Sequence, residues 1–211
     1  MCRSVNRSAA VVLATLGVIS FCAVIVRTVA AQIPGQALVD REHAIKAVYV
    51  LKFAGYVTWP EGAFPDAESP LVIGSIGANP IDPYLDRIAS RQKVAGRPIV
   101  VRRFETVQQY QPCQILFVGR LVDPEHQQAV LQRLGNAPVL SVGEMPGFAE
   151  RGGVINFYIA GNKVRFEINR TVAEAKDLKI SSKLLALAKI VGGSDATSLR
   201  ARDGLPAPRP Q

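Results

Sequence analysis

Histidine occurs twice, tryptophan once and cysteine three times in 211 residues. Three cysteines exclude a disulfide-stapled scaffold. His43 and His126 stand far apart, and neither is expected to share a metal ion with a carboxylate or cysteine at ligand spacing. That pattern predicts no metal centre and no bound cofactor. A catalytic signature is equally scarce. Gly74-Ser75-Ile76-Gly77 follows an apolar run but fits neither the dinucleotide fingerprint nor the nucleophile elbow. It reads as a strand end packed close to its neighbours. No Ser/His/Asp order can be singled out, so the sequence predicts a protein that is not an enzyme.

Acidic residues are missing altogether from positions 1–31. Arg3 and Arg7 precede a run from Ala9 to Val26 without a charge, and Val29-Ala30-Ala31 supplies small residues. This is the layout of a signal peptide cut after Ala31. The rival is an uncleaved membrane anchor, which Arg27 favours slightly; both readings export the remainder. The formal charge of +8 shrinks once this segment is set aside. Its three arginines account for part of the excess, leaving 22 basic residues against 17 acidic ones. The remaining basic residues are scattered, without the stripe of cations and aromatics that nucleic-acid binding requires. Export also leaves Cys113 as the sole cysteine, unable to form an internal disulfide. It reads either as a small core residue or as a redox-responsive thiol.

Between residues 32 and 191 strand and helix signals alternate. Asp40 is expected to cap a helix running to about Val57, with Ala44, Val48, Leu51 and Gly55 along one face and most sides buried. Trp59-Pro60 stops it. Leu71–Gly77, Pro98–Arg103, Gln114–Gly119 and Pro138–Val142 read as strands. Helices are expected over Asp82–Arg91 and Pro124–Leu134, the latter capped by Asp123, with a short helix or turn over Glu105–Gln111. This rhythm predicts an α/β fold, a mainly parallel sheet flanked by helices. It is expected to end in an antiparallel β-hairpin turning at Gly161-Asn162 and a C-terminal helix carrying Leu184, Leu187, Ala188 and Val191. Residues 192–211 lose all periodicity and read as a disordered tail.

In the second arm of the hairpin Val164, Phe166 and Ile168 alternate with Lys163, Arg165, Glu167 and Asn169. One face then belongs to the core and the other to a polar surface. Phe157, Tyr158, Arg165, Glu167 and Asn169 are the candidate partner-binding residues, since arginine and aromatics dominate binding hot spots. The alternative is a solvated salt bridge between Arg165 and Glu167. A second candidate is a ligand cleft at the carboxyl ends of the parallel strands, near Gly74–Gly77 and Gly119.

Several segments together resemble the YfiR family of exported bacterial proteins. They are Ala44–Ala47 leading to Trp59-Pro60, Leu71–Gly74 with Gly77, Cys113–Val118, Phe148–Gly153 with Ile155–Phe157, Val164–Asn169, and Leu178–Ser182 with Leu184-Leu185. The resemblance covers about residues 40–190. It implies a periplasmic α/β domain that tends to dimerise. Such a domain binds the periplasmic sensor domain of an inner-membrane diguanylate cyclase, lowers cyclic diguanylate output and so curbs biofilm formation. Fusion of other members to sensor kinases implies, as the alternative, a small-molecule sensor module acting on a kinase. Family members with disulfides are redox-responsive. Cys113 matches a family cysteine, but no second cysteine remains here after export.

Overall fold

The order of the strands, more than their number, decides where a site can form in this chain. The computed structural model describes residues 34–192. The expected leader over 1–31 and all but the first residue of the expected tail lie outside that range. A first helix, α1 (Pro34–Tyr56), leads into a short strand, β1 (Val57–Thr58). Five parallel strands follow: β2 (Leu71–Ile76), β4 (Arg97–Phe104), β5 (Ile115–Val118), β6 (Leu140–Gly143) and β7 (Ile155–Ala160). Between them lie α2 (Asp82–Ala89), the two-residue β3 (Lys93–Val94), a 3-10 turn over Val107–Gln109, and α3 (Pro124–Leu134). The chain then turns back as β8 (Lys163–Asn169), α4 (Arg170–Ala175), β9 (Lys179–Ile180), α5 (Ser182–Leu185) and β10 (Lys189–Val191).

In the large sheet the strands run in the order β10-β8-β7-β6-β5-β2-β4-β3. All neighbours are parallel except the β7–β8 hairpin and the β3–β4 edge. β1 and β9 form a separate antiparallel pair. The mainly parallel α/β architecture expected from the strand–helix rhythm is therefore the observed one. Among the described residues, no helix is long and apolar enough to cross a membrane.

Each face of the sheet carries its own core. On one, Val50 and Phe53 of α1, Val57 of β1 and Leu85 of α2 pack against Ile73, Phe117, Val142, Phe157 and Phe166. Phe53 lies edge-on to Phe166 at 5.0 Å and stacked on Phe157 at 5.6 Å, geometries that aromatic rings favour. On the other face Val130, Leu131 and Leu134 of α3 meet Val72, Phe104, Leu116, Val118 and Phe148.

Local signals are honoured where they are strong. The Asp123 carboxylate accepts the His126 amide at 3.0 Å, capping α3 as expected. Gly161 and Asn162 both take positive φ, 55° and 57°, as a tight hairpin turn demands. Three expectations are corrected. α1 begins at Pro34, where the absent N–H has no helical partner to lose, so Asp40 lies inside the helix and not at its cap. Its buried stripe is Lys46, Val50 and Phe53, continued by Val57 of β1, whereas Val48 and Gly55 are exposed, so one side of the helix is open to solvent. The C-terminal helix is a single turn over Ser182–Leu185. Lys189–Val191 instead pairs with the open edge of β8, where the ladder satisfies backbone groups and β-branched Ile190 and Val191 fit the pleat.

Candidate functional site

Adjacent residues on a strand point to opposite faces, and this rule divides the predicted partner-binding residues. Phe157 pairs with Phe166 and Tyr158 with Arg165. Phe157 is consequently sealed in the aromatic core, 1% exposed. Tyr158 is half-buried and Arg165 exposed on the outer side of the hairpin. Asn156, Glu167 and Lys189 lie in register across β7, β8 and β10 on that same side. There the Asn156 side-chain amide donates to Glu167 at 3.1 Å, and Lys189 approaches the other carboxylate oxygen at 3.3 Å. Glu167 is thus buried, although its place in the alternation predicted a polar surface position. Asn169 is buried too, and acts as a junction. Its carbonyl oxygen caps α4 by accepting the Val172 amide at 3.0 Å, while its NH2 donates to the Ala149 carbonyl at 2.8 Å. Gly192 presses against it so closely that a Cβ there would lie 2.3 Å from the Asn169 amide.

The outer side of the hairpin and the loop after β6 enclose a groove of about 570 Å³. Tyr158, Asn156 and Glu167 form one wall; Met145, Pro146 and Gly147 belong to the other. That loop is held by Phe148, fully buried, whose ring lies where Cβ atoms on Gly143 and Gly153 would stand, 2.4 and 2.2 Å away. Only glycine at both positions lets the ring lie flat against the sheet.

Charges concentrate at one end of the groove. Lys46, 1% exposed on α1, donates to Glu144 at 2.5 Å and to Glu42 at 2.5 Å. Arg120 closes the cluster, donating to Glu42 at 3.0 Å and to Glu144 at 3.2 Å, and its backbone amide also donates to Glu144. Burial pushes the Glu144 carboxyl up, but hydrogen bonding and charge from Lys46, with Arg120 behind it, hold it below the ordinary glutamate value. Glu42 is lowered by the same cations. Two cations thus face two carboxylates, and these groups neutralise one another. Sequence reading passed over this cluster. Its one signal was a lysine in the stripe 46, 50, 53, 57, otherwise wholly apolar.

The cleft predicted near Gly77 and Gly119 has a different form. Strand order reverses between β2 and β5, the place where open α/β sheets bind ligands. Asn79 occupies that crevice, donating to Ser75 at 2.7 Å and to the Ile76 carbonyl at 2.8 Å. Its side-chain oxygen sits 1.6 Å from where a Gly119 Cβ would be. A shallower hollow of about 250 Å³ remains outside it, lined by Gly77, Glu105, Asp123 and His126 among others. His43 and His126 both lie on helices as expected, the first buried and the second exposed. Among the described residues no group of histidine, cysteine and carboxylate side chains could hold a metal ion.

Cys113 is buried against Gly74, whose Cβ would lie 3.0 Å from its sulfur. Desolvation pushes the thiol up to about 11, so the reactive thiolate is scarce at neutral pH. Cys113 is expected to resist a thiol reagent such as DTNB in the native protein and to react with it on unfolding. Rapid labelling of folded protein at this residue would contradict the buried-thiol geometry.

The YfiR/HmsC-like family profile matches residues 43–189, from α1 to the first residue of β10. The chain belongs to the YfiR/HmsC-like family. The matched range includes both walls of the groove and the Lys46–Glu144 pair. No curated protein matches the chain. Among solved structures, a conserved domain protein from Vibrio cholerae O1 biovar El Tor is 14% identical with a TM-score of 0.46, over 70% of this chain and 59% of that one. An ABC domain in complex with L-Trp from Streptococcus pneumonia is 10% identical with a TM-score of 0.42, over 57% and 55%. This YfiR/HmsC-like chain therefore spans little more than half the length of either.

Proposed function

We propose that this protein is a periplasmic regulator that acts by binding. In the homodimeric form that the family resemblance implies, the outer side of its hairpin docks on the periplasmic sensor domain of an inner-membrane diguanylate cyclase. Docking there holds the cyclase in its less active state. The observation that carries this reading is the family match over residues 43–189. The groove supports it, because Lys46 and Arg120 with Glu144, and Lys189 with Glu167, are held in ion pairs that fix the shape of its surface. A binder shifts a two-state receptor only by its differential affinity for the two states, so a shaped surface is all the mechanism requires.

Arg165→Glu tests the reading. Arg165 is exposed and outside the core, so the substitution is expected to leave thermal stability unchanged within about 0.5 kcal/mol. It should weaken co-purification with a cyclase sensor domain by about tenfold or more, an effect of about 1.4 kcal/mol. Undiminished capture would refute a role for this surface.

A second reading is favoured by one atom. The Asn156 side-chain oxygen, in the hairpin wall of the groove, is buried with no hydrogen-bond partner. A small molecule with a donor at that point would satisfy it, which suits a sensor module coupled to a kinase. A thermal-shift screen against the folded chain distinguishes the two, since only the sensor reading expects a small molecule alone to raise the melting temperature.

A further inference from the structure

The open side of α1 carries two clefts that share a ridge. One, of about 390 Å³, is lined by Arg41, Ala44, Ile45, Val48, Tyr49 and Lys52. The other, of about 410 Å³, runs from Val48, Lys52 and Gly55 across to Ile88, Lys93 and Val94. Val48 is 42% exposed at the crest. Arg41, Ile45, Val48, Lys52 and Gly55 follow alternating steps of four and three, the spacing of a seam that receives another helix. Gly55 adds no side chain to the ridge, and nothing lies within 4 Å of where its Cβ would be, so a second backbone can come close there.

The charge of this face has one sign. Every charged residue lining either cleft is basic: Arg41, Lys52 and Lys93. None of the three forms an ion pair among the described residues. Glu42, on the same helix, is engaged by Lys46 and Arg120 and lines neither cleft.

We propose that this face docks an acidic amphipathic helix of a partner protein. The apolar side chains of the incoming helix fill the two clefts beside Val48, and carboxylates along its flanks meet Arg41 at one end and Lys52 and Lys93 at the other. A second copy of the chain would present the same three cations and no acidic residue from the clefts to answer them. Paired clefts at helical spacing call for side chains at fixed intervals, which an anionic lipid surface lacks. None of these residues lines the groove beside the hairpin, so this face stands independently of the proposed cyclase contact.

The probe is a fluorescein-labelled helical peptide of about 18 residues, or five turns, with leucine at i, i+3, i+4 and i+7 and glutamate on both flanks. A matched peptide carries lysine in place of glutamate. The full chain is expected to bind the glutamate peptide at least about tenfold more tightly than the lysine peptide, and less tightly as salt rises. Lys52→Glu should narrow or invert that preference, and Val48→Asp should abolish binding of the glutamate peptide. Both positions are exposed, and unchanged thermal unfolding of the two variants confirms that any loss is local. Equal affinity for the two peptides, or no binding up to about 1 mM, overturns the proposal. So does an unaltered preference in Lys52→Glu. Phosphatidylglycerol vesicles that bind the parent and displace the peptide, or a dimer that Val48→Asp dissociates in sedimentation, overturn it in favour of a membrane or a second copy.

Discussion

Replacing Lys46 by methionine is expected to cost about 3–5 kcal/mol of folding stability, read as a lowered urea midpoint. The magnitude follows from what remains behind. Glu144 has a side chain 2% exposed, and its principal counter-charge is the Lys46 ammonium at 2.5 Å. Arg120 is half in solvent and 3.2 Å away, so it compensates only in part. Pairing Lys46→Met with Glu144→Leu should restore much of the loss, because an apolar pair of similar volume avoids the desolvation of two ions. A single variant as stable as the parent would mean that the pair contributes nothing.

The same cluster sets the response to acid. Glu144 and Glu42 have folded-state values below the ordinary 4.5, so the folded protein releases their protons more readily than the unfolded chain does. Their contribution is complete above the unfolded value. It is lost as pH falls below about 4.5 and through the folded values. The Lys46→Met/Glu144→Leu protein should therefore lose less stability than the parent between neutral pH and the acid range.

Phe148→Ala is expected to cost a comparable amount, about 3–5 kcal/mol, by opening a cavity that two glycines cannot fill. Its effect should also reach the groove, since Phe148 anchors the loop that forms one wall. Hydrogen exchange over residues 144–152 is expected to quicken in the variant, beyond what the global loss of stability explains. Exchange that rises uniformly across the chain would show that the ring supports the whole sheet and not this loop in particular.

The sequence is legible where a few neighbouring residues decide the outcome. Asp123 three residues before the His126 amide and Gly161-Asn162 between two alternating runs are signals complete in themselves. The apolar runs at Leu71, Ile115 and Leu140 likewise announced strands covered on both faces. What failed was whatever depended on a distant partner. Lys189–Val191 has the apolar spacing of a helix, and only the unsatisfied edge of β8 makes it a strand. Lys46 finds Glu144 98 positions away, a meeting fixed by sheet order and invisible to periodicity. The separation of Phe157 from Tyr158 is a different case. Strand parity alone sets them on opposite faces, so this part of the site was legible and was missed because both were grouped by residue type.

Asn169 gives the domain a mechanical property. One amide braces Ala149 behind the groove, starts α4, and bears on Gly192 where the described chain ends; Thr171 adds a bond to the Gly192 carbonyl at 2.9 Å. Tension applied at Gly192 is therefore shared by the β10–β8 ladder, the Thr171 hydroxyl and the Asn169 amide, and the last of these leads on to Ala149 in the loop after β6. Whatever is tethered there, a tag or a fused domain, pulls on that loop as a rope pulls on a sail.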